Sequence, residues 1–205
     1  MMANRAPTTP RRDRRQERHQ ATRNEVLDAA WEMVHTDGLG ALSLRAVARV
    51  VGMEPQSLYT YFSSKHAIYD AMFAQANEEL LERRRQALAQ ETDPTAAIRR
   101  GVHVLVDFAT SDPVRHQLLF QRTIPGFEPS EDSYAIARQI LEQTQTNLAA
   151  VGITAQRDLD LLTALVSGIV SQQLANDPGG DRWTLQTDRV LDMYFRETRG
   201  QTDGA

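Results

Sequence analysis

The side chains with the most evident chemistry cluster in one short stretch. Pro55, Gln56, Tyr59 and Thr60 fall on one side of a helical register, opposite Leu58 and Phe62. They are small or hydrogen-bonding and none is acidic, which suits a surface approaching phosphate oxygens. No comparable set points to catalysis. Cysteine is absent, so disulfides and cysteine metal sites are excluded. His103 and Asp107 lie at i, i+4 and can hydrogen-bond, but no third ligand accompanies them and no nucleophile stands nearby. Phosphate-binding and dinucleotide-binding glycine patterns are missing, as is the carboxylate–histidine set of a di-iron bundle. No catalytic site, metal or cofactor is expected.

A recognition surface needs elements to hold it, and helical periodicity supplies them. Val26, Leu27, Ala30, Met33 and Val34 define a first helix over about 21–36. Ser43 is placed to cap a second, whose Leu44, Val47, Ala48 and Val51 recur at i, i+3, i+4, i+7. Gly52 breaks it. A short third helix follows, with Glu54 near its cap, Pro55 at the tolerated first position, and Leu58 and Phe62 inward. Ser63 or Ser64 caps a fourth helix carrying Ile68, Met72, Ala76 and Leu80. Two helices joined by a tight glycine turn match the helix-turn-helix plan, whose third helix offers its outer face to a major groove about 12 Å wide.

The run from Gly40 to Lys65, above all Leu58-Tyr59-x-Tyr61-Phe62-x-x-Lys65 with Val47-Ala48 and Gly52 before it, resembles the DNA-binding region of the TetR family. The likeness covers about residues 21–68. It implies a homodimer on a palindromic operator, with Arg45 and Gln56 at base edges and Pro55 and Thr60 against thymine methyls. It further implies Ser57, Tyr59, Tyr61 and Lys65 on phosphates, with Ser43 in the same surface. Lys65 is the only lysine of the chain and stands where the family places a phosphate-contacting lysine. Many members carry Ser or Thr in place of Glu54 and a small residue in place of Gln56. Glu54 has three open roles: repelling phosphate, capping the helix, or accepting from cytosine N4.

Charge agrees with a DNA-reading head on an acidic body. Residues 1–65 hold 10 Lys/Arg against 7 Asp/Glu, a balance of +3, and the remainder of the 205-residue chain carries −7. Residues 1–20 include Arg5, Arg11, Arg12, Arg14, Arg15 and Arg18 without apolar periodicity. They read as a disordered arm, either DNA-reaching or merely solvated. The domain reading is therefore arm 1–20, DNA-binding domain 21–67, and effector-binding and dimerisation domain 68–205. No run approaches the ~18 apolar residues of a membrane span, and the arginine-rich start has no apolar segment behind it. A cytoplasmic protein is expected.

In the second domain, Asp93-Pro94 and Asp112-Pro113 mark helix starts, giving helices over about 94–111 and from 113. Helices near 131–150, 155–176 and 183–198 follow, about nine in all, so the fold class is all-α. The TetR likeness implies a cavity for a small apolar or amphipathic effector in this domain. Its candidate lining is His103, Val106, Asp107, Phe108, His116, Leu119, Phe120, Phe127 and Tyr134. The likeness also implies a dimeric four-helix bundle built from the last two helices. Leu162, Leu165 and Ile169 on one, with Val190 and Tyr194 on the other, are its expected faces, or else they fill the subunit's own core. Two rivals stand beside the effector-controlled repressor: a DNA-binding regulator without a small-molecule effector, and a helical-bundle enzyme or carrier.

Overall fold

The structure, a computed structural model, describes residues 14–200. Among them are nine α-helices and no strands, in two compact units, Met1–Ile68 and Tyr69–Ala205. No helix is long and apolar enough to cross a membrane.

In the first unit, α1 (Arg14–Asp37) packs on α2 (Leu44–Val50), and α2 packs on α3 (Pro55–Leu58). Val26, Ala30, Val34, Val47, Ala48, Leu58 and Phe62 are buried. At roughly 1.5–3 kcal/mol for each large side chain removed from water, this small core holds three helices of which only α1 has useful length. α1 begins at Arg14, so the later part of the expected disordered arm is helical. A buried face at Val26–Val34 supplies the nucleus, and adding good helix formers to an existing helix is cheap even without apolar periodicity. The Gln20–Asn24 side-chain hydrogen bond of 2.9 Å supports this extension. Arg5, Arg11 and Arg12 lie outside the described residues.

α4 (Lys65–Leu88) is capped by Ser64, whose hydroxyl accepts from the Ala67 amide at 3.1 Å. The second unit continues with α5 (Pro94–Ser111), α6 (Pro113–Phe120), α7 (Glu131–Ala150), α8 (Gln156–Asn176) and α9 (Thr187–Gly200). The expected starts are real caps. Asp93 accepts from the Thr95 and Ala96 amides, Asp112 from Arg115, and Ser130 from Ser133. α5 is the central element, touching α6, α7, α8 and α9. Its Ile98, Val102 and Val106 meet Leu159, Leu162, Val166, Ile169 and Val170 of α8 and Leu191, Tyr194 and Phe195 of α9. Before α9, Gln173 holds the turn by accepting from the Trp183 amide at 2.8 Å.

This core revises the predicted dimer residues. Leu162, Ile169 and Tyr194 are buried in the unit itself, with Leu165 and Val190 packed against them. The most apolar helix face marks burial without saying against which partner. The exposed side of α8 carries Leu161, Ala164, Gly168, Ser171 and Ala175 instead, a row spaced at alternating threes and fours.

Candidate DNA-recognition surface and ligand cavity

The turn between α2 and α3 is set by backbone geometry. Ser43 caps α2, accepting from the Ala46 amide at 3.2 Å. After Val50 the chain reverses through Gly52 at φ 68°, and the Met53 amide donates back to the Ala48 carbonyl at 2.8 Å. Glu54 occupies the cap position of α3 with no side-chain capping bond, so the capping role drops out. α3 is a single turn of helix, prolonged by amide bonds from Thr60 to Ser57 and from Phe62 to Leu58. Val47, Ala48, Leu58 and Phe62 are the buried seam, with Leu44 and Val51 half-buried beside them.

That seam turns the opposite side of α3 to solvent. Arg45, Glu54, Gln56, Ser57, Tyr59 and Thr60 are exposed, whereas Pro55, Tyr61 and Lys65 are half-buried. Tyr59 is 53% exposed, too open for a core aromatic. Thr60, itself exposed, donates its hydroxyl to the Ser57 carbonyl at 2.7 Å. Two contributors were not foreseen. Arg23 of α1 donates to the Tyr61 carbonyl at 2.8 Å and sits 4.1 Å over the Phe62 ring. His19 stacks on Tyr61 with centroids 4.7 Å apart. Both brace the segment after α3, and no local spacing announces a contact across 38 residues.

The second unit contains a cavity of about 240 Å³. Its walls come mainly from α4, α5, α7 and α8, including Leu80, Val102, Ile140, Leu159 and Val166. Phe120, Leu141, Thr163 and Ser167 line it while remaining exposed. Two polar side chains in its wall are more than nine-tenths buried and carry unpartnered atoms: Nε of Arg84 and Nδ1 of His116. Burial pushes the His116 pKa below its ordinary value, so the imidazole is neutral near pH 7.

Of the nine expected pocket residues, His116 and Phe120 line the cavity, whereas Val106 is buried in the core of the unit and Leu119 is half-buried outside the cavity wall. The others are elsewhere. His103 pairs with Asp188 of α9 at 3.1 Å, and Asp107 is exposed. Phe108 is buried beneath the Arg83 guanidinium, Phe127 packs on Tyr69, and Tyr134 is exposed beside Arg138. Helices α5, α6 and α7 contribute part of the wall. Roughly half a turn of rotation about each axis separates a wall residue from an outer one, and aromatic or titratable character does not report that rotation. No group of three or more potential metal ligands occurs among the described residues.

Residues 26–72 match the model of bacterial regulatory proteins of the TetR family. The transcriptional activator FasR of Mycolicibacterium smegmatis is 29% identical over 170 residues, covering 83% of this chain and 75% of FasR. The nucleoid occlusion factor SlmA of Pasteurella multocida is 26% identical over 108 residues, and this chain spans only 54% of its length. A crystal structure of a regulatory protein superposes with a TM-score of 0.72 at 26% identity, covering 91% of this chain and 98% of that one. FadR of Bacillus subtilis, solved with stearoyl-CoA, gives 0.60 at 16%, covering 83% and 96%, and shows the shared fold. The family comprises transcriptional regulators, not enzymes. With its helix-turn-helix, its exposed third-helix face and its all-helical second unit, the chain belongs to the TetR family and is a DNA-binding transcriptional regulator.

Proposed function

We propose that the chain is a ligand-responsive repressor acting in the cytoplasm as a homodimer on a palindromic operator. Residues 21–67 would form the DNA-binding domain and 68–205 the domain for effector binding and dimerisation. The observation that carries the ligand response is the cavity of about 240 Å³ in the second unit; a regulator answering to DNA alone has no use for the volume. Arg45, Gln56 and Thr60 meet bases. Ser57, Tyr59, Tyr61 and Lys65 meet phosphates, Pro55 joins Thr60 against thymine methyls, and Ser43 and Glu54 belong to the same surface. A small apolar or amphipathic effector shifts the dimer towards a state of lower DNA affinity by binding that state better. The B. subtilis FadR structure with stearoyl-CoA supports an amphipathic ligand. Repression follows from occupying promoter DNA, and the activator FasR supplies the opposite sign as the alternative.

Selection of bound sequences from random duplex DNA tests this. Two inverted half-sites roughly 34 Å apart centre to centre, with complexes released by one compound class, are the expected result. Half-sites in direct repeat, or a complex that no compound releases, would overturn the dimer or the effector respectively. A reporter fused to the recovered operator reads the sign of regulation.

A further inference from the structure

Arg84 is out of place in this cavity. It is 5% exposed, yet no carboxylate among the described residues pairs with it. Nη1 donates to the Gly101 carbonyl at 2.9 Å and Nη2 to the Thr144 hydroxyl at 3.1 Å, and both acceptors are neutral. Nε has no partner. A guanidinium offers five donors and stays charged in proteins, so three N–H groups and a full positive charge remain uncompensated. Burying a charge without an opposite one is costly, and such charges are ordinarily paired.

The surroundings are built around that guanidinium. Gly101 lies within α5, where glycine is about 1 kcal/mol worse than alanine. A Cβ at Gly101 would come within 2.6 Å of Nη1 of Arg84, so the glycine leaves the guanidinium its seat. The rest of the wall is largely apolar, and Arg84 and His116 are the only ionisable side chains in it. His116 is neutral near pH 7 and offers the unpartnered Nδ1. The charge to be met is therefore a single one. An apolar cavity of roughly 150 Å³ holds benzene, so 240 Å³ admits a larger apolar body as well as a headgroup.

We infer that the effector is a monoanionic amphiphile whose carboxylate pairs with Arg84 while its apolar body lies against Val102, Leu105, Leu159 and Val166. This rests on the effector reading above and narrows it. Arg84 sets the sign of the ligand's charge, and its single charge excludes tight seating of a polyphosphate group. A carboxylate accepts from Nε–H and one remaining Nη–H in the bidentate geometry that arginine favours.

The test uses the full chain and calorimetry without DNA. Octanoate, decanoate, dodecanoate and naphthoate are each compared with the primary alcohol of the same body. At least one carboxylate should bind about 10- to 100-fold tighter than its alcohol, the range of a charge-assisted hydrogen-bonded pair. Arg84→Met should abolish that preference while the alcohol still binds. Gly101→Ala keeps the charge but displaces it, and should reduce the preference in a chain whose helix propensity has improved. Equal affinity for acid and alcohol, a preference unchanged in Arg84→Met, or no carboxylate bound in the millimolar range would overturn the inference. If only Gly101→Ala folds, an unchanged preference there overturns it as well. Operator release is measured separately. Release by neutral compounds alone leaves the effector reading standing and removes this one, whereas carboxylate binding at Arg84 with no effect on DNA keeps the anion site but removes its role as the effector's seat.

Discussion

Replacing Gly52 with alanine should loosen the helix-turn-helix by a definable amount. At φ 68° the residue is in the left-handed region, where a side chain costs roughly 1–2 kcal/mol. A Cβ built there meets nothing within 4 Å, so no steric clash adds to the conformational term. Alanine also narrows the unfolded ensemble, which offsets up to ~1 kcal/mol. The net is about 1 kcal/mol, concentrated where Met53 donates back to Ala48. Because the chain has two units, a single melting temperature would mix their transitions. Hydrogen exchange over residues 44–62 reads the local opening, and should quicken by roughly fivefold. Gly52→Asn, which tolerates the left-handed region better, should lose less. Gly40→Ala is the control: it is unobstructed and has no positive φ, so its exchange should barely change. Wild-type exchange in Gly52→Ala, or an equal loss in Gly40→Ala, would refute the account of the turn.

Further outcomes follow from the same geometry. Tyr59→Ala should weaken operator binding by roughly 3- to 10-fold, the worth of one hydrogen bond. Unfolding should stay within ~0.5 kcal/mol, since the ring is exposed; unchanged affinity in a filter or fluorescence assay removes Tyr59 from the interface. Lys65→Ala should lower the slope of log K against log salt by about 1 per head if its ammonium displaces one phosphate counterion, and an unchanged slope denies that contact. His116 is held below its ordinary pKa of 6.5 by burial, so the unfolded chain takes the proton first. Its contribution is complete above about pH 6.5 and is lost as pH falls towards the depressed folded value. Urea titrations should show that acid-side loss reduced in His116→Phe, and parallel profiles would contradict it. Gly168→Arg, on the exposed row of α8, should yield folded monomers in sedimentation velocity, whereas an intact dimer would place the subunit contact elsewhere.

The head was legible because its demands are local. Ser43 caps within three residues, Gly52 turns within a handful, and Leu58 and Phe62 share a face through i, i+4. Each of these can be read from neighbours in the chain. The braces from Arg23 and His19 could not be, since each is fixed only by how α1 lies across the segment after α3. The cavity was hard to read for a related reason. Choosing aromatic and titratable residues on α5 to α7 selected chemistry before orientation. His103, Asp107 and Tyr134 have the right chemistry on the outer sides of their helices.

Arg84 differs, because the signal for it was present. Ile68, Met72, Ala76 and Leu80 form a stripe at constant spacing of four, and one further step lands on Arg84, not on Arg83 or Arg85. Within a run of three arginines the composition suggests a solvated face, and that describes two of them. Arg83 and Arg85 pair with Glu79 and Glu82 along the exposed side of α4. Periodicity places the middle one inward regardless of its charge. A core stripe that ends on an arginine is a conflict between pattern and polarity, and such conflicts in a stable fold concentrate at functional sites. Gly101 is the same conflict on the facing helix, a poor helix former inside an otherwise well-formed α5. Each residue alone has a bland explanation. Together they describe a seat cut for a cation that no carboxylate among the described residues neutralises, and that is why the unmet charge points to the ligand and not to a packing fault.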